Sequence, residues 1–473
     1  MKYNHALFLN PYTDRRTTTS TITRLFPPTG LEFVAASARD LVGKLTLIDL
    51  RYEEPLRDTD KLIDFIKNEV DIICVGIGWD KEFDDVCALL NKMPDNIPLV
   101  VGGHKATEEV EELFVACPNI DIIVRGEGEE TIKEIMSGVA PKDILGISYR
   151  ENGQVIHNEN RPLPDVDIIA SPDRSLRRNK YSMMLHGKNI TGLTYDTILS
   201  ARGCPFNCKF CTFSLNPLGQ KCPYAARSVE SVIKELKSIE ADFILFSDDN
   251  FATDAKRAMK ICDLIIENKI NKRFLAQVRI EIAEHPELLK KMVQAGFKMV
   301  SLGIESPHDR ILAEFNKGFD SAKIRRCFKV LNKFPIFYHG YFIYGNIGET
   351  EEEMLYISKF AQEIGLDTIA CNKLRVSKYS PLKKTFDNMP DYHLTEKGEV
   401  YSDKYSHSDL KKINKRIKHS FYSPLKILKI IKKFLAARFI SPRELLSVLS
   451  VAPLLIKDTV ARELEKSAAR KKK

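Results

Sequence analysis

The sequence predicts an α/β protein with two consecutive parallel-sheet domains and a basic helical region behind them. Three observations carry this. Over residues 1–140, short apolar runs alternate with amphipathic segments in a βαβ rhythm. From Thr197 to about residue 385 six further strand–helix repeats follow at even spacing. Beyond residue 386 the composition turns basic and the apolar period becomes helical. A chain of 473 residues, 44% hydrophobic, suits two or three domains with sizeable cores.

In the first domain the strand runs are Ala6-Leu7-Phe8-Leu9, Thr46-Leu47-Ile48, Ile72-Ile73-Cys74-Val75, Pro98-Leu99-Val100-Val101 and Ile122-Ile123-Val124. Amphipathic segments at 60–68 and 107–116 lie between the later ones, so the sheet is expected to be doubly wound, with helices on both faces. Such sheets bind ligands at the carboxyl ends of their strands. Those ends carry Gly76-Ile77-Gly78, Gly102-Gly103 and Arg125-Gly126-Glu127-Gly128. Glycine lets a backbone come close to a large ligand, and it also serves plain strand-to-helix turns. His104 and the only tryptophan, Trp79, stand beside these glycines. A solvent-facing role suits His104 and a packing or lining role suits Trp79. Residues 141–196, rich in Pro, Asp and Arg, are expected to form a connector.

The second domain is expected to hold strands at 197–200, 243–246, 273–278, 299–303, 337–344 and 368–374. Helices are expected at 229–238, 254–267, 286–295, 321–333 and 351–364. Directly after the first strand come Cys204, Cys208 and Cys211, spaced CxxxCxxC, with Phe210 before the third. Thiolates are soft ligands suited to iron–sulfur clusters, and three on a tight loop leave one iron of a cubane open. The competing reading is a structural zinc loop, for which Cys222 is the one nearby fourth ligand. The later strand ends are polar beyond what packing requires. They carry Ser247-Asp248-Asp249-Asn250-Phe251, then Gln277-Val278-Arg279, then Gly303-Ile304-Glu305-Ser306, then Tyr344-Gly345-Asn346-Ile347-Gly348-Glu349-Thr350. An N-cap cluster would also explain the aspartates, although Asp254 is placed to cap that helix instead.

The cysteine loop, with the "DDNF" and "GIES" stretches in register behind it, resembles the radical S-adenosylmethionine (SAM) superfamily. The resemblance implies a partial (β/α)6 barrel over 197–385 and a [4Fe-4S] cluster on Cys204, Cys208 and Cys211. It implies that SAM chelates the open iron and is cleaved to a 5'-deoxyadenosyl radical by an electron from an external donor. Phe210 would pack near the adenine. Asp248, Asp249 and Asn250 would meet the SAM ammonium, Gln277 and Arg279 its ribose and carboxylate, and Gly303, Glu305 and Ser306 would line the site. Where relatives often have Leu-Pro, this chain has Asn346-Ile347. Residues 1–140, through "NPYT", "FPPTGLEFVAA", "VVGGHKAT" and "RGEGEET", resemble the flavodoxin-like cobalamin-binding domain that precedes many radical SAM barrels. That implies cobalamin over Gly76, Gly102, Gly103 and Gly126. The loop after the first strand, Asn10 to Arg16, has no histidine, so it supplies no lower axial His.

The layout resembles cobalamin-dependent radical SAM methyltransferases, in which one SAM methylates the cobalamin and a second generates the radical. It also resembles anaerobic porphyrin ester cyclases, which do not methylate. A third class, tRNA methylthiolation, needs a second three-cysteine cluster. Cys74, Cys87 and Cys117 are spread over different predicted elements and read as packing thiols.

From Leu410 to Arg443 there is no acidic residue. Leu425, Leu428, Ile431 and Leu435 fall on one helical stripe beside Lys429 and Lys432. This basic amphipathic region, 386–473, could pack on the barrel and close the substrate cavity, or rest on anionic lipid. An RNA-backbone role is set aside, and no nucleic-acid partner is expected. A small-molecule substrate is expected, lipid-like on this reading or tetrapyrrole on the resemblance to the porphyrin ester cyclases. The apolar run 445–456 is too short to span a bilayer, and the terminal lysines read as a solvated tail. Ten cysteines without a secretory signal suit the cytoplasm, with the inner membrane face as a peripheral site.

Overall fold

The computed structural model describes residues 1–13, 25–79, 82–185, 188–211, 215–395, 397–447 and 449–450. Residues 14–16 of the first loop, the apolar run beyond 450 and the terminal lysines lie outside these. The chain divides into two compact units. One comprises Met1–Asp196 with Asn216–Gln220 and the described residues from Leu446 on; the other comprises Thr197–Leu215 and Lys221–Leu445.

The first unit is built on strands β1 His5–Asn10, β2 Lys44–Asp49, β3 Ile72–Gly76, β4 Leu99–Gly102 and β5 Ile122–Val124. They pair in parallel in the order β2-β1-β3-β4-β5. The strand order reverses at β1, which places the ligand crevice of a flavodoxin-like sheet outside the carboxyl ends of β1 and β3. Side chains alternate between faces. Leu7, Leu9, Ile73 and Val75 pack with Leu62, Ile66 and Leu113, whereas Ala6, Phe8, Ile72 and Cys74 pack with Ala35, Ile132 and Met136. Each such large side chain removed from water contributes about 1.5–3 kcal/mol. The sheet runs on past residue 140. Strands β6 Ile147–Glu151 and β7 Gln154–His157 add an antiparallel hairpin to its edge, turning at Asn152 and Gly153, both with positive φ. The expected helix over 107–116 is two, His104–Glu108 and Val110–Ala116. Within the expected connector, β8 Ser182–Leu185 pairs antiparallel with β9 Lys188–Ile198. Arg177 joins Glu32 at 2.6 Å to Asp196 at 2.7 Å.

In the second unit, β9 delivers its last residues beside β10 Phe243–Phe246. There follow β11 Arg273–Val278, β12 Phe297–Glu305, β13 Phe337–Tyr344 and β14 Thr368–Lys373, adjacent in chain order. From β10 to β14 every pairing is parallel. The helices Val229–Ser238, Ala255–Glu267, Pro286–Ala295, Ser321–Leu331 and Glu351–Glu363 separate the strands, as the periodicity predicts. Val300, Leu302, Ile304, Tyr338, Phe342 and Ile369 pack outward into one core with Val232, Ile261, Leu289, Phe328 and Phe360. The alternate residues therefore face the inside of the curled sheet.

The helix His407–Phe421 joins this core through Leu410, Ile413, Ile417 and Phe421. The next helix, Pro424–Ala436, also packs on the barrel, but not through the stripe the sequence suggests. Its Phe434 meets Phe337, the first residue of β13, with ring centroids 4.4 Å apart. Lys433 pairs with Asp367, one residue before β14, at 2.6 Å, and Phe439 lies against Phe243, the first residue of β10. The helix thus packs across the amino end of the barrel, the end opposite the cysteine loop. Leu425 and Leu428 face solvent, 72% and 62% exposed. No helix among the described residues is long and apolar enough to cross a membrane.

Candidate cluster and cofactor site

The cysteine loop is held at its base by a buried polar knot. The Asp248 carboxylate at the end of β10 accepts from the Ser200 amide at 2.6 Å and from its hydroxyl at 2.5 Å. Burial pushes this carboxyl up, and the Ser200 hydrogen bonds oppose that. Arg257 donates to the Ser200 carbonyl at 2.9 Å and to the Arg227 carbonyl at 2.8 Å. Gly203 follows with φ +75°. A β-carbon there would lie 2.2 Å from the Pro223 carbonyl oxygen, so only glycine fits.

Beyond Gly203 the loop is braced by the segments after β12 and β14. Lys209 donates its amide to the Phe315 carbonyl at 3.0 Å, Asn316 reaches the Asn207 carbonyl at 3.0 Å, and the Ser380 hydroxyl caps the Lys209 carbonyl at 2.8 Å. Phe210 packs on Phe315 with centroids 4.8 Å apart. Cys208 is buried, and Cys204 and Cys211 are half-buried. Burial and the nearby Asp249 carboxylate push the Cys204 thiol up. Among the described residues no set of three His, Cys, Asp or Glu side chains forms a preassembled metal site; the case for a cluster rests on the donor chemistry of the three thiols.

Arg279, one residue past β11, is the cationic centre of the site. Its guanidinium is 3.6 Å from the Cys208 sulfur, donates to the Lys317 carbonyl at 2.5 Å, pairs with Glu281 at 2.9 Å and stacks 3.7 Å over the Phe206 ring. Asn250 accepts from the Arg279 amide at 3.3 Å, while Asp254 caps the following helix. The capping explanation for residues 248–250 therefore falls away. At the end of β12, Glu305 has φ +65°, an uncommon strain for a non-glycine residue. Its carboxylate pairs with Lys317 at 3.1 Å, both buried. Gly303 makes room for this pair, since a β-carbon there would be 2.5 Å from the Glu305 oxygen. Ser306 is fully buried and accepts from the His308 amide at 3.1 Å. After β13, the Glu349 carboxylate accepts from the Asn346 amide and side chain, each at 2.9 Å. Its other oxygen and the Asn346 side-chain oxygen have no hydrogen-bond partner among the described residues, and burial pushes this carboxyl up to about 7.

Deeper inside the sheet, Gln277, Ser301, His339 and Thr368 sit side by side across β11 to β14. His339 Nδ1 bonds the Thr368 hydroxyl at 2.8 Å, and burial pushes this histidine down to about 4. Burial pushes the hydroxyl of Tyr341, two residues on, up, and the nearby Ser301 opposes that.

In the first unit, Gly76, Gly78, Gly102, Gly103, Gly126 and Gly128 end β3, β4 and β5. At Gly103 a β-carbon would lie 2.7 Å from the Ile77 carbonyl oxygen; at Gly78 it would meet nothing within 4 Å. Trp79 is 70% exposed beside this edge and therefore is not a packing residue, its backbone tied to the Tyr12 hydroxyl at 2.9 Å. His104 is exposed. Asn10 is spent on Asp49 at 2.9 Å. Cys74 lies on one face of the sheet, and Cys87 and Cys117 lie on the other, so the three cannot share a cluster.

Gln277, Glu305, Arg279 and the cysteines were visible in the sequence at strand ends. Lys317, Phe315, Ser380, Arg257, His339 and Tyr341 were not singled out. The first four come from later loops and helices that only folding brings in, and the last two follow from strand alternation once the inner face is known.

A flavodoxin-like sheet with a glycine edge and a half-barrel with a three-cysteine loop define a cobalamin-dependent type of radical enzyme. Residues 198–361 match the Radical SAM superfamily and residues 15–136 the B12 binding domain. The chain is 32% identical over 353 residues to an uncharacterized methyltransferase of Pyrococcus horikoshii, covering 72% of this chain and 74% of that protein. It is 25% identical to the anaerobic magnesium-protoporphyrin IX monomethyl ester cyclase of Cereibacter sphaeroides, over 54% of this chain and 43% of that one. In fold it is similar to the radical SAM methyltransferase TsrM from Kitasatospora setae, a structure with cobalamin and a [4Fe-4S] cluster bound. The TM-score is 0.67 at 16% identity, over 93% of this chain and 91% of that one. The chain belongs to the radical SAM family whose members carry a cobalamin-binding domain, and its cofactors are a [4Fe-4S] cluster, SAM and cobalamin.

Proposed function

We propose that the chain is a C-methyltransferase acting on an unactivated carbon of a small molecule with an apolar, lipid-like or tetrapyrrole, body. The observation that carries it is the pairing in one chain of a glycine-edged doubly wound sheet with a cysteine loop at a barrel mouth. When bound, the cofactors supply the radical that removes a hydrogen atom and the methyl group that replaces it. Cys204, Cys208 and Cys211 would hold the cluster, and the glycine turns at Gly76, Gly102, Gly103 and Gly126 would let the backbone approach cobalamin. An external donor supplies the electron.

The chain's own residues orient and enclose. Arg279 sets a fixed positive charge against Cys208. Glu305, fixed by Lys317, and Asp249, near Cys204, are the carboxylates suited to the SAM ammonium. Phe210 offers an apolar ring to the adenine. Asp248 belongs to the support of the loop, its oxygens being spent on Ser200. The inner row of Gln277, Ser301, His339 and Thr368 favours a substrate with at least one hydrogen-bonding group on its apolar body. His339 enters that contact neutral.

The test is anaerobic reconstitution with iron, sulfide and hydroxocobalamin, followed by SAM carrying a deuterated methyl group and candidate lipids or porphyrins. Near-stoichiometric cobalt and label in the product support methyl transfer; full iron without cobalt removes the support. The similarity to the porphyrin ester cyclase favours a second reading, ring closure without methylation. A product with a new ring and no label would select it.

A further inference from the structure

Among the described residues the outer face of the C-terminal helices has no partner, and its chemistry is specific. Between Leu410 and Arg443 there are eleven Lys and Arg and no Asp or Glu, more than the whole net charge of +8. In the helix Pro424–Ala436 the residues toward the barrel are Lys426, Ile430, Lys433, Phe434 and, just past its end, Ala437, a continuous helical stripe. The opposite stripe is Leu425, Leu428, Lys429 and Lys432, all exposed. Lys429 and Lys432 make no ion pair among the described residues. The preceding helix His407–Phe421 buries Leu410, Ile413 and Ile417 and turns Lys411, Lys415 and Lys418 outward, also without ion pairs among the described residues.

We propose that this face docks on an anionic lipid bilayer. Cations alone would suit any polyanion. The two leucines lying between the lysines decide for lipid, because apolar side chains gain from entering the acyl boundary and nothing from a phosphodiester backbone. The exposed stripe also carries no aromatic ring on which a base could stack. A second copy of the same face would set lysine against lysine. The docking helix packs across the amino end of the barrel through Phe434 and Lys433, whereas the cysteine loop sits at the carboxyl end. Docking therefore fixes the enzyme at the surface without placing the barrel mouth against the bilayer, and it is independent of which substrate is methylated.

The experiment is cosedimentation of the full-length protein with vesicles of phosphatidylcholine alone and of equal parts phosphatidylcholine and phosphatidylglycerol. The wild type should bind only the anionic vesicles, and less as salt rises. Lys429→Glu with Lys432→Glu should weaken binding at least about twentyfold, at roughly fivefold per charge near the surface. Leu425→Ser with Leu428→Ser should abolish the part that survives high salt. SAM cleavage by the reconstituted protein, unchanged in both variants, shows that each has folded. Failure of the wild type to bind, equal binding to the neutral vesicles, or retention of binding by both variants overturns the proposal. So does a concentration-dependent dimer that the leucine variant abolishes, since the face would then be an interface between copies.

Discussion

Gly203→Ala separates two costs that glycine hides. The residue has φ +75°, and an alanine held there pays about 1–2 kcal/mol for the left-handed conformation. Its β-carbon would also lie 2.2 Å from the Pro223 carbonyl oxygen and 2.7 Å from that of Cys222. Both are backbone atoms, so relief requires the loop itself to shift, an overpacking cost of about 1–3 kcal/mol more. Gly153, in the β6–β7 turn, is the control: φ is +81° and a β-carbon there would touch nothing within 4 Å. Gly153→Ala should therefore cost about 1–2 kcal/mol and leave iron content unchanged. Gly203→Ala should cost about 2–5 kcal/mol in total and lose most of the reconstituted iron, because the shift falls on the residue before Cys204. For a unit of this size each kcal/mol lowers Tm by about 2–4 °C. Iron content by colorimetry and Tm by calorimetry check both. If Gly203→Ala keeps full iron and loses no more Tm than Gly153→Ala, the argument that backbone crowding positions the cluster loop is wrong.

Alanine at Cys204, Cys208 or Cys211 should each abolish reductive SAM cleavage, followed as 5'-deoxyadenosine, while alanine at Cys74, Cys87 or Cys117 should leave iron content untouched. Glu305→Ala and Asp249→Ala should weaken SAM binding, measured by calorimetry, with the cluster retained. Glu305→Ala should also destabilise by about 3–5 kcal/mol through the orphaned Lys317, a loss that Glu305→Ala with Lys317→Met should largely restore. Two buried groups give stability opposite pH slopes. His339 resists protonation, so its contribution is present above 6.5 and is lost as pH falls toward about 4. Glu349 resists ionisation, so its contribution is present below 4.5 and is lost as pH rises through about 7. Each slope is about 1.4 kcal/mol per pH unit. Urea midpoints should then fall toward acid more steeply in Glu349→Gln than in wild type, and toward neutrality more steeply in His339→Gln; parallel curves would refute it.

The strands and most of the helices could be read from the sequence because each has a local cause. Alternation in Ala6-Leu7-Phe8-Leu9 and capping by Asp254 need no distant partner. The cysteine spacing is likewise local. The Glu305–Lys317 pair depends on how the chain returns after β12. The direction of the basic helix was left open by the sequence for a related reason. Amphipathic period shows that a helix has two faces, but Phe434 found Phe337 and Phe439 found Phe243 only because four aromatics converge at the amino end of the barrel. An aromatic payload outweighed the leucine stripe.

The same reasoning bears on substrate. A barrel built to enclose hydrocarbon alone would line its inner face with aliphatic side chains, since an unpaired polar group there costs about 1–3 kcal/mol. Here the aliphatic level, Leu275 beside Met299, lies one pair below the row of Gln277, Ser301, His339 and Thr368. His339 spends one ring nitrogen on Thr368, and its other has no partner among the described residues. A neutral imidazole with one ring nitrogen left over on the inner face of the sheet gains most from a ligand that offers a hydroxyl, carbonyl or amide. The apolar body of the proposed substrate and the polar row are therefore complementary requirements. The carbon to be methylated would be presented by the polar group that this row holds, not by apolar contact alone.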